Sequence, residues 1–168
     1  ISGLAAIAEE LSLEAADFDH GREVEFPADS SIRKLQIANG VLDCDGLVSI
    51  SKFKTHALTG ITGALKNQFG VVPGLRKARF HAVYSDIKAF AIMLADLNKY
   101  LKPRLFVMDA VISMEGNGPR NGSPKKTGYV LVGLDAPAVD TVMASITGHD
   151  TAKMKLFQTL KAIEAGIV

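Results

Sequence analysis

The chain has 168 residues, 48% of them hydrophobic and 22% charged, enough for one globular core. Its 19 basic and 18 acidic side chains leave a formal net charge of +1, which gives no global electrostatic reason to hold nucleic acid or an anionic membrane. The one cysteine, Cys44, excludes an internal disulfide and a cysteine-built zinc or iron–sulfur centre; it suits a reducing, cytoplasmic setting and reads as a small packed side chain.

The chain opens at Ile1, without a Met, directly on a helix-like stretch, so it is expected to be a fragment of a longer protein. Over residues 1–11, Leu4, Ile7, Ala8 and Leu11 share one helical face. Residues 15–26 alternate loosely up to Pro27, which predicts one or two short strands. Another strand is expected over 32–37, a helical turn over 39–44 and a buried strand over 47–50. From Thr55 to Phe69, Leu58, Ile61, Leu65 and Phe69 recur at helical spacing. Thr55, Thr59, Thr62 and Lys66 would then form a polar stripe, but Gly60 and Gly63 leave a loop entering a short helix as the alternative.

A glycine-rich break follows at 70–74, then a helix over 84–101 ended by Pro103. A strand over 105–108 leads into a long loop over 115–127, and a third strand is expected over 129–134. Asp135 should cap a helix over 136–146, with Pro137 in its first turn and Gly148 beyond its end. A last helix is expected over 153–165. Strands alternating with helices predict a single α/β domain over 1–168, with a largely parallel or mixed sheet covered by helices in a three-layer arrangement. No apolar run reaches membrane-spanning length and no signal peptide is visible.

In such sheets ligands gather at the carboxyl ends of the strands, here 52–66, 109–120 and Asp135. Lys54 and Lys66, with the Thr59 and Thr62 hydroxyls and Asn67, make an anion site for a phosphate or carboxylate. His56 and His81 are candidate acids or bases. Asp109 ends a strand, and Glu115 and Asn117 follow in the turn-rich Met114–Pro119 segment; the two carboxylates could hold a divalent cation or share a proton. The bland alternatives are solvated lysines, capping threonines and a surface turn. Asp140, beside Val139 and Val142, would need a partner such as a lysine if buried. Asp86 and Asp96 are expected to be solvated.

The stretch Ser51–Asn67, followed by Phe69–Gly74, resembles the hallmark of domain-of-unknown-function family 362. The likeness continues through His81, Ala95–Asn98, Met108–Ala110, Met114–Pro119 and Gly133–Asp140, so it runs in order from Leu47 to the C-terminus. The resemblance implies an upstream strand and helix that this chain lacks. It also implies an association with a ferredoxin-like module carrying two cysteine-rich iron–sulfur motifs, none of which occurs in this sequence. It assigns no reaction.

The expectation is therefore a domain that binds a small anionic substrate. His56, Lys66 and Glu115 would be the catalytic groups. Lys54, Thr59, Thr62, Asn67, His81 and Asn117 would bind substrate, and Asp109 with Glu115 would take a divalent metal. An iron–sulfur cluster would belong to a separate partner module. The rival is a non-catalytic scaffold for a redox partner. Nucleic-acid binding would need a contiguous basic surface, and neither it nor a membrane is expected as a partner.

Overall fold

A computed structural model of the chain describes residues 3–74 and 83–166. Four strands form a mixed sheet in the order β4 (Gly60–Thr62), β3 (Val48–His56), β5 (Leu105–Glu115), β6 (Ser123–Gly133). β3 and β5 run parallel, and the two outer pairings are antiparallel. β1 (Gly21–Glu25) and β2 (Lys34–Ala38) make a separate antiparallel pair. The mixed sheet expected from the sequence is present.

The helices are α1 (Leu4–Glu10), α2 (Asn39–Leu42), α3 (Ala64–Asn67), α4 (Ile87–Leu101), α5 (Ala136–Ile146) and α6 (Lys155–Ala162). Short 3₁₀ turns follow α3 at Gln68–Val71 and precede α6 at Thr151–Lys153. α4 begins at Ile87 rather than Tyr84 because the Asp86 carboxylate accepts from the Lys88 and Ala89 N–H groups. Its buried Phe90, Ala91, Met93, Leu94 and Leu97 keep helical spacing. Lys102, at φ 47, ends it in the left-handed region. Asp135 caps α5 as expected, accepting from the Ala138 N–H.

α3, α4, α5 and α6 form one core against a single face of the sheet. That face buries Ser49, Ser51 and Phe53 from β3 and Phe106, Met108 and Ala110 from β5. The same core holds Leu65, Phe90, Leu97, Met143, Phe157 and Leu160. The β1–β2 pair joins through Leu35 and Ile37, and Phe26 stacks on Tyr100 with ring centroids 4.4 Å apart. On the opposite face Ile50, Val130 and Val132 are 69%, 58% and 62% exposed. The described residues place no helical layer there.

Three local expectations are corrected. The 115–127 loop is mostly hairpin, because β5 and β6 pair as far as Glu115↔Ser123. Pro124 and Gly128 suggest a loop, but β6 is an edge strand, where both are tolerated. Thr55–Thr62 is strand, turn and strand rather than helix, and α3 spans only Ala64–Asn67. Cys44 is exposed rather than packed.

Candidate functional site

β3 carries its polar end past the end of the helical core. Side chains alternate along a strand, so Lys52 and Lys54 share the open face with Ile50, while Phe53 and Thr55 point to the other side. The β3–β4 register places Thr62 directly opposite Lys54. Thr62 Oγ1 is buried and makes no hydrogen bond among the described residues. Lys66 follows in α3. Its ammonium pKa is lowered, first by burial and then by the nearby positive charge of Lys54. Among the described residues neither lysine forms a salt bridge. Lys54 thus stands opposite a hydroxyl whose hydrogen-bonding capacity is unspent among the described residues, and the partly buried Lys66 is close enough to feel its charge.

The other predicted residues are not brought together in the same way. Thr59 is buried, and its hydroxyl donates to the Ile61 carbonyl at 2.6 Å, so it closes the β3–β4 turn. His56 Nδ1 accepts from the Leu58 and Thr59 N–H groups at 3.1 and 3.3 Å. That geometry makes Nδ1 an acceptor and fixes the ring as part of the turn. The Asn67 side-chain amide donates to Ser49 Oγ and to the Ile50 carbonyl at 3.0 and 3.1 Å, which anchors α3 along the edge of β3. The predicted Thr55–Thr59–Thr62–Lys66 stripe does not form, since strand alternation sends Thr55 and Thr62 to different sides.

Asp109 and Glu115 do not share a site. Asp109 pairs with Lys52 at 2.7 Å and also accepts from the Val111 N–H. The Lys52 hydrogen bond, followed by the Val111 one, holds its pKa below the ordinary carboxylate range. Glu115 pairs with Lys125 at 3.2 Å. The register puts Met114 beside Lys54, so Glu115, one residue on, points to the other face. The register thus sets the two carboxylates on different faces of the sheet. Among the described residues no group of three or more His, Cys, Asp or Glu side chains is arranged to hold a metal. Asn117 is exposed in the turn after β5. That turn does meet β3: the Thr55 hydroxyl donates to the Gly116 carbonyl at 2.9 Å. His81 lies outside the described residues.

One residue essential to the site's construction was not among those predicted for it. Asp140, on α5, is 2% exposed. Its two oxygens accept from the Ala64 and Leu65 N–H groups at 2.6 and 3.0 Å. It therefore caps α3, and its partner is a helix start rather than the expected lysine. Burial pushes its pKa up to about 7, against the opposing effect of those hydrogen bonds. Gly63 makes the approach possible, since a Cβ there would lie 2.1 Å from Asp140 Oδ1. The sequence signal was a carboxylate within the apolar Ala136–Val142 run, 75 residues from the Gly-rich stretch it serves.

A groove of about 700 Å³ lies elsewhere, lined by Leu65, Asp96, Asn98, Phe106 and Asp135 among others, but by none of the predicted site residues. Asp96, expected to be solvated, there accepts from the Ser31 N–H at 2.7 Å. Size favours the groove; the lysines are the cationic pair at the carboxyl end of β3, and among the described residues neither forms a salt bridge.

Comparison with known proteins gives a family model described as "Domain of unknown function (DUF362)", which matches residues 1–145. The "Thylakoid-associated protein sll1697" of Synechocystis sp. (strain ATCC 27184 / PCC 6803 / Kazusa) is 32% identical over 153 residues, which is 90% of this chain. The chain spans about half, 47%, of that relative's length. No solved structure matches. Among the described residues no helix is long and apolar enough to cross a membrane.

Proposed function

Because the chain belongs to the DUF362 family, whose description assigns no reaction, its chemistry has to be argued from its own residues, and we propose that it binds a small anion, a phosphate or carboxylate, between Lys54 and Lys66. The geometry that carries this reading is the placement of Thr62, whose buried hydroxyl has no partner among the described residues, directly opposite Lys54, with the partly buried Lys66 near enough to feel that charge. Holding cations together in a poorly hydrated place costs stability unless an anion joins them. Thr62 Oγ1 would give the anion a neutral hydrogen bond and fix its orientation. A divalent cation would arrive with the anion rather than at an Asp109–Glu115 pair.

Lys66 has a second use in this reading. An ammonium pKa below the ordinary lysine range makes Nζ a group that can give up and take back a proton. His56 orders the turn that carries β4 and acts as a positioning residue. The chain would work in an aqueous, reducing compartment, alone or beside a redox partner. Thylakoid association is a property of the relative.

Isothermal titration with inorganic phosphate, and separately with acetate, tests the proposal. The wild-type chain should bind at least one, and Lys54→Met and Lys66→Met should each weaken binding about tenfold or more, as loss of a charge-assisted hydrogen bond does. Affinity should fall as pH rises through the lowered Lys66 pKa, because the site then loses a cation. The Lys66→Met chain should also melt slightly higher, since it keeps the buried stem and loses the repelled charge. No binding by wild type, or binding indifferent to both substitutions, rejects the site.

A further inference from the structure

We infer that the open face of the β3–β5–β6 sheet is the seat of a second layer of amphipathic helices, supplied in longer proteins of this family by polypeptide outside residues 1–168. Val48 and Ile50 on β3, Val111 on β5, and Val130 and Val132 on β6 are all exposed on their strands. The register aligns Ile50 with Val107, and Val107 with Val132, so these side chains form one continuous apolar surface across three strands. Scattered apolar residues on a surface are ordinary, but a contiguous patch marks an interface.

The pairing pattern indicates the kind of cover. The two central strands, β3 and β5, are parallel, the pairing found in α/β sheets whose two faces are both covered by helices, and both carry apolar side chains in both directions. Ser49, Ser51, Phe106 and Met108 are buried on the helical side, while Val48, Ile50 and Val111 are exposed on the other, with no helix over them among the described residues. Within the apolar surface lies the Lys52–Asp109 ion pair. It is neutral as a unit, so an apolar helix face could lie over it with one polar side chain for its remaining hydrogen bonds. The source of the cover follows from length. The Synechocystis relative matches 90% of this chain with only 47% of its own length, so it has as much polypeptide again from which to build the layer.

Thiol labelling tests the inference. Ile50→Cys and Val132→Cys are made singly in a Cys44→Ser chain, with the exposed Cys44 of wild type as the reference. The matching positions are changed in the full-length Synechocystis relative. Both new thiols should react with a maleimide at the Cys44 rate in the 168-residue chain. They should react about tenfold or more slowly in the full-length relative, as groups reached only through local opening do. Equal rates in the two proteins overturn the inference. So does protection already present in the short chain: if it grows with concentration a second copy is the occupant, and if it does not the cover comes from within the chain.

Discussion

At the scale of single residues, Gly63 and Asp140 show how closely chain-distant positions depend on each other. Gly63 has φ −149, which any residue can adopt, so its constraint is space alone. Gly63→Ala should cost about 3 kcal/mol, read by urea unfolding, because the added methyl must displace a carboxylate held by two N–H groups. Asp140→Ala leaves those N–H groups buried and unpaired and should cost about 2–4 kcal/mol. The pH dependence has a defined sign. The Asp140 pKa of about 7 in the folded chain lies above the unfolded value of 3.8. Its contribution is therefore fully present below pH about 4 and is lost as pH rises through 7, by roughly 4 kcal/mol at most. Asp140→Asn should flatten that part of the stability profile between pH 4 and 8; an unchanged profile would show that the group does not titrate in this window. The sequence reading saw that a buried Asp140 needs a partner. It could not see which, because backbone N–H groups leave no mark in a side-chain alphabet.

At the scale of elements, helices were the most legible. Asp86 and Asp135 lie where caps belong, and the apolar spacing of α4 is unambiguous. The Thr55–Phe69 sequence leaves a helix and a loop entering a short helix both open, because its Leu and Thr recurrences do not decide between them; the chain forms strand, turn and strand before the short α3. What decides is the turn, where the His56 ring accepts two N–H groups and the Thr59 hydroxyl closes on Ile61. His56→Ala should therefore cost about 1 kcal/mol and speed hydrogen exchange at Leu58 and Thr59. Exchange rates unchanged at both amides would remove the histidine from the turn. The β5–β6 hairpin was hidden for a different reason. Its edge strand carries Pro124 and Gly128, and tolerance for them comes from having no neighbour on one side, which is a property of the sheet rather than of the local sequence.

At the scale of the whole molecule, the mixed sheet was legible and its one-sidedness was not, because periodicity tells which strand faces are apolar but not which are occupied. The same limit applies to the site. Lys54, Thr62 and Lys66 were legible as residue types, yet their separation from Glu115 and Asp109 depends on strand register. If the bare face is as accessible as its side chains indicate, the native chain should bind the apolar dye ANS, and Ile50→Lys with Val132→Lys should lower that binding severalfold without lowering the melting temperature. Dye binding unaffected by the pair would locate the apolar surface elsewhere. The carboxylate clasp on α3 has a further effect, on the timing of synthesis. Residues 64 and 65 leave the ribosome long before residue 140 is made. The capped first turn of α3 must therefore wait for a partner translated later, and the lysine next to it is not fixed by that clasp before then.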